Sequence, residues 1–128
     1  MNRWCTVSGI TGFQRRRISG GGAALLGGAT IEGGLVTGNV AQDQAGGIYV
    51  AGALVLSGTQ FISNTAAVNA GGLGYEQGYA TITNATFERN QALTGRGGGI
   101  GARLAELDVV NSNFASNTSA TGGGLAAT

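Results

Sequence analysis

The chain contains no proline, no histidine and no lysine, and it has a single cysteine, Cys5. Each absence excludes something. Without histidine the commonest general base and the commonest metal ligand are missing, and without lysine there is no amine to activate a serine or threonine. One cysteine allows neither an intramolecular disulfide nor a CxxC metal knuckle. Charge is scarce as well: 10% of the residues are charged and seven arginines against six acids leave a net charge of +1. Such a surface has no field for gripping a phosphate backbone, so no nucleic-acid partner is expected. No stretch approaches the 18 or more apolar residues of a membrane span, so no transmembrane segment is expected.

Glycine, by contrast, is abundant, with 26 in 128 residues. Its placement is periodic. The pairs Gly21-Gly22, Gly46-Gly47, Gly71-Gly72, Gly98-Gly99 and Gly123-Gly124 recur at steps of 25, 25, 27 and 25 residues, each followed by Ala23, Ile48, Leu73, Ile100 or Leu125. Ile31, Leu56, Ile82 and Val109 form a second column. Val36, Phe61, Phe87 and Phe114 form a third, and Asn39, Asn64, Asn90 and Asn117 follow it at three residues' distance. Apolar and polar residues alternate in LDVVNSNF, ATITNATF and ALVLSGTQF, the period of short half-buried strands. A coil of 25–27 residues cannot bury its apolar face alone, so it must stack on copies of itself.

The spacing therefore predicts an all-β, single-stranded parallel β-helix of about five coils. Residues 1–20 form a degenerate first coil; 21–45, 46–70, 71–97 and 98–122 are the repeats, and 123–128 begin a further coil. Each column becomes a ladder. Phe61, Phe87 and Phe114 should fill the core, and Asn39, Asn64, Asn90 and Asn117 should bond between layers, satisfying buried amides that would each otherwise cost about 1–3 kcal/mol. The glycine pairs are expected at sharp corners with positive φ.

The GG(I/L/A) element followed by F-x-x-N resembles the repeat of the polymorphic outer-membrane proteins, and more broadly the β-helix repeats of bacterial surface proteins, over about residues 20–128. WCTVSGITGF is similar to an opening coil of such proteins, with Arg16 near the place of the expected asparagine. The resemblance implies a right-handed coil and an extracellular or cell-surface product. It does not imply a catalytic site; the expected role is a structural scaffold, an adhesin-like module or a filament subunit rather than an enzyme, and neither cofactor nor metal is expected.

Residues 1–20 and 123–128 together amount to one more coil of normal length. Two readings follow: end-to-end self-association, with Trp4, Cys5, Val7 and Leu125 at the junction, or a segment of a longer solenoid. Arg15-Arg16-Arg17 before AALLGGA resembles a twin-arginine export signal. Gly21-Gly22, Ile31, Val36 and Asn39 already keep the repeat register, which instead puts the arginines on a solvated loop where anionic glycan or lipid could be met. Among the acids, Glu76 with Arg103, Glu106 and Asp108 is the best cluster for a glycan or host surface; a carbohydrate-binding or polysaccharide-degrading role is the alternative function. Trp4, Tyr49, Tyr75 and Tyr79 are candidates for stacking on sugars. The longer step at Ala92–Gly97 is expected to carry specificity.

Overall fold

A computed structural model describes residues 10–11, 23–26, 29–41 and 45–127. Every described element is a β-strand, and the strands run in parallel ladders around a solenoid. Three sheets form its faces. The first contains Ala23–Leu26 and Ala29–Glu32, then Ile48–Ala51 and Leu54–Ser57, then Leu73–Thr83, Ile100–Val110 and Leu125–Ala127. The second stacks Leu35–Thr37, Gln60–Ile62, Thr86–Glu88 and Asn113–Ala115; the third stacks Val40–Ala41, Thr65–Ala66, Gln91–Arg96 and Thr118–Thr121. Four strands in each of these two sheets make about four turns, against the five read from the sequence. The remaining turn, at 1–20, lies outside the described residues apart from Ile10–Thr11. That pair runs antiparallel to Ala29–Glu32, opposite to every other described pairing. The segment around it has neither the glycine pair nor the Phe-x-x-Asn spacing of the other coils.

The sequence columns are the pairing register. Ile48 pairs with Leu73 and Leu73 with Ile100, while Leu56 pairs with Ile82 and Ile82 with Val109. Phe61, Phe87 and Phe114 are register partners too, and their rings stack at 4.7 and 4.9 Å between centroids, tilted by only 7° and 8°. That separation is the strand spacing itself, so one choice of rotamer repeated in each coil gives continuous contact. Phe61, Phe87, Ile48, Leu56, Leu73 and Ile82 are fully buried in the single core that runs along the axis. Burial of each is worth roughly 1.5–3 kcal/mol, and no isolated coil could realise it.

The asparagine ladder has a direction. In each coil the backbone N–H and Nδ2 of one Asn donate to Oδ1 of the next: Asn39 to Asn64 at 3.1 and 3.0 Å, Asn64 to Asn90 at 3.0 and 2.9 Å, Asn90 to Asn117 at 2.9 and 3.0 Å. The second Nδ2 hydrogen goes back to the Phe-column carbonyl of the preceding coil, from Asn64 to Val36, Asn90 to Phe61 and Asn117 to Phe87. Asn64 and Asn90 thereby satisfy every hydrogen-bonding group of the buried amide.

The glycine pairs play a different part from the one expected. At the four described pairs, positive φ falls on the residue before the pair, Ala45, Ala70, Gly97 and Gly122, and not on the pair. What the pair supplies is close approach. A Cβ on Gly47 would stand 2.5 Å from the carbonyl oxygen of Gly72, and one on Gly72 would stand 2.7 Å from that of Gly99. Further left-handed residues recur once per coil at Gly38, Ser63, Arg89 and Ser116, each preceding its ladder Asn, and at Gly33, Gly58, Asn84 and Asn111. These columns are the corners between the faces. A fourth, at Gly52, Gln77 and Leu104, kinks the first face.

Candidate functional site

Outward side chains of the first face are set by strand alternation. Ile48, Val50, Leu73, Tyr75, Ile100 and Ala102 point inward, so Tyr49, Gly74 and Gly101 fall in one outward column and Ala51, Glu76 and Arg103 in the next. Ala126 continues the first of these columns. Beside them the chain arrives from the third face through the left-handed corner at Ala70 and Gly97, carrying Asn69 and Arg96. The 27-residue coil holds two additional residues, one absorbed at the Gln77–Gly78 kink and one in the bulge between Ala92 and Arg96. The bulge swings Arg96 to the edge of the face, where its backbone N–H donates to Asn69 Oδ1 at 2.9 Å.

The result is a groove of about 480 Å³ whose floor is the Gly74–Gly101 column and whose polar lining is Tyr49, Asn69, Glu76, Arg96 and Arg103. The floor is low because both positions lack a side chain; Tyr49 below and Ala126 above are its ends. Gly74 tolerates little else, since a Cβ there would lie 2.9 Å from the methyl of Ala45. Across the groove the Tyr49 hydroxyl donates to Glu76 Oε1 at 2.5 Å, and Arg103 Nη1 lies 3.8 Å from Glu76 Oε2. Burial, with the hydrogen bond to Glu76 and its negative charge, pushes the Tyr49 phenol up to about 12, and Arg103 opposes that rise. Tyr49 is therefore a neutral donor at any ordinary pH.

Of the four residues read as a glycan-contact cluster, the structure puts Glu76 and Arg103 in this groove. Glu106 and Asp108 lie elsewhere, on the same strand beyond the left-handed residue Leu104, beside Tyr79. The Tyr79 hydroxyl lies 3.5 Å from Asp108 Oδ2. The kink at Gln77, Gly78 and Leu104 divides the strand into two stretches, so linear proximity does not become one site. Tyr75 is no platform for a sugar. It is 2% exposed, points inward between Val50 and Ala102, and donates its hydroxyl to the Gly52 carbonyl. Trp4, Cys5, Val7 and Arg15–Arg17 lie outside the described residues. Leu125 stacks on Ile100 and is 39% exposed.

No family model matches the chain, and neither does any curated protein or solved structure. What the structure shows is a parallel β-solenoid, and a fold of this kind hosts many functions. Among the described residues no group of three His, Cys, Asp or Glu could hold a metal ion. Among the same residues no helix is long and apolar enough to cross a membrane.

Arg96 falls within the longer step at Ala92–Gly97, whereas Asn69 and the two floor glycines have no place in the sequence reading. A signal for the floor glycines existed: position two after each glycine pair reads Ala24, Tyr49, Gly74, Gly101, Ala126, a run of small residues broken by one tyrosine.

Proposed function

We propose that the chain is a structural β-solenoid module, acting through rigidity and repetition rather than turnover, and that its Asn117 coil takes a further coil of the same repeat, supplied by a second copy in end-to-end self-association or by the neighbouring coil of a longer solenoid. The observation that carries this is the polarity of the asparagine ladder. Asn117 has spent its oxygen on Asn90 and one Nδ2 hydrogen on Phe87. Its backbone N–H and second Nδ2 hydrogen have no acceptor among the described residues. In every earlier coil those two donors go to the Oδ1 of the next asparagine. Asn39 Oδ1 is buried without a donor among the described residues, and most of the coil before it lies outside that set. The donors left on Asn117 fit the Oδ1 of an asparagine in a further coil of the same repeat, as Asn39, Asn64 and Asn90 each find one.

Apolar surface points the same way. Phe114 is only partly covered whereas Phe61 and Phe87 are fully buried, because only one neighbour stacks on it. The repeat's resemblance to that of the polymorphic outer-membrane proteins supports an extracellular or cell-surface setting, as a scaffold, adhesin-like module or filament subunit.

Electron microscopy and light scattering of the purified chain test the reading. Rods or oligomers that grow with concentration, and that Asn117→Asp shortens by placing a buried charge at the junction, are expected. Uniform monomers at high concentration would overturn the self-association.

A further inference from the structure

We propose that the groove over Gly74 and Gly101 is a binding site for an acidic saccharide, with the sugar carboxylate taken by Arg96 and Arg103 and the ring lying on the glycine floor. The proposal stands apart from coil stacking, since the groove lies on the side of the solenoid and not at its end.

The charge balance selects an anion. Tyr49 and Arg103 already hold the single carboxylate of the groove, Glu76, while Arg96 forms no ion pair among the described residues. The lining therefore carries one guanidinium in excess. Arg103 is also loosely held, at 3.8 Å from Glu76 with its side chain 65% exposed, so it can turn toward an incoming carboxylate without losing a strong contact.

The remaining groups select a polyhydroxylated ring over a peptide. The Asn69 oxygen is engaged by the Arg96 N–H, which leaves the amide hydrogens for a hydroxyl, and Glu76 Oε2 retains acceptor capacity. The floor's backbone amides are committed to the parallel ladder with Leu73–Thr83 and Ile100–Val110, so no strand can be added there. Nor does the groove have an apolar side pocket to take a peptide side chain; its lining beyond the polar groups is Gly74, Gly101, Ala70, Ala102, Ala126 and the ring of Tyr49, with Tyr75 turned into the core. A flat floor without Cβ atoms, bordered by a tyrosine ring and hydrogen-bonding side chains, suits a sugar ring. The volume, about 480 Å³, is within the ordinary range of small-molecule sites.

Amide shifts of the labelled protein, followed during titration with glucuronic acid and separately with glucose, test the proposal. Saturable shifts at Gly74, Gly101, Arg96 and Arg103 are expected with glucuronate, with glucose at least tenfold weaker. Arg96→Ala and Arg103→Ala should each weaken glucuronate by about tenfold, the loss of one charge-assisted contact. Both side chains are exposed, so the variants should fold, and Arg89→Ala, remote from the groove, should bind as the parent does. No saturable shift with glucuronate, equal affinity for glucose, or loss of binding in Arg89→Ala equal to that in Arg96→Ala would overturn it.

Discussion

Replacing Asn64 by leucine removes the middle of the asparagine ladder while nearly preserving side-chain volume. Asn64 is fully buried, and its side chain makes four hydrogen bonds: two accepted from Asn39 and one donated to each of Val36 and Asn90. Leucine leaves the Asn39 N–H and Nδ2 without the acceptor they share, and the Val36 carbonyl without this donor. The Asn90 oxygen keeps the bond from the residue 64 backbone N–H at 3.0 Å, so it is only partly deprived. Each buried donor left unpaired costs about 1–3 kcal/mol, and the added apolar contact of leucine returns part of that. A net loss of about 3–5 kcal/mol is expected, a large fraction of the roughly 5–15 kcal/mol that holds a domain folded. Asn117→Leu is the internal control. It removes the same kind of bonds at the last coil, where the side chain is only partly buried and water can replace them, so about 1–2 kcal/mol is expected there. Urea unfolding followed by far-UV circular dichroism measures both, and equal slopes would show that the unfolded states are comparable. If Asn64→Leu lies within about 1 kcal/mol of the parent, or costs no more than Asn117→Leu, the buried ladder is not what fixes the stacking.

Gly72→Ala tests close approach against backbone freedom. Its new Cβ would meet the Gly99 carbonyl oxygen at 2.7 Å and the Phe87 ring at 3.3 Å, so a loss of about 3 kcal/mol is expected. Gly124→Ala, whose nearest neighbour is Phe114 at 3.6 Å, should stay within about 1 kcal/mol of the parent, and similar losses for the two would refute the steric account. For Tyr49, the folded-state value near 12 exceeds the ordinary 10.0, so the folded chain holds the phenol proton more tightly than the unfolded chain does. Its contribution to stability is complete below about pH 10 and is lost as pH rises from 10 toward 12. Tyr75, raised by burial, acts in the same direction and remains in Tyr49→Phe. That variant should flatten the fall in stability over this range without abolishing it, as read by urea midpoints, and an unchanged profile would refute the burial of Tyr49 against Glu76 that raises its phenol.

Most of the architecture is legible in the sequence because stacking is a nearest-neighbour problem. A residue at one position of a coil touches the same position of the next, so the period of the text is the register of the sheets. Ile48, Leu73 and Ile100 could be aligned on the page and are aligned in the ladder. The groove was less legible. The sequence reads Arg103, Glu106 and Asp108 as one cluster with Glu76 in the coil below; the structure makes Glu76 and Arg103 register partners and leaves the other two acids apart. The left-handed Leu104 intervenes, and a leucine gives no sign of such a conformation.

The sequence by itself determined the repeat length, the inward columns and the ladder of asparagines, since each is a demand that one coil places on its neighbour. Only the tertiary structure decided why the glycines are paired, where the corners fall and which outward side chains meet. Those depend on distances between backbones of different coils and on bends at Ala45, Ala70, Gln77 and Leu104, residues whose chemistry does not announce a positive φ. The groove is assembled from such bends, from one bulge and from two missing side chains, and none of these repeats in every coil.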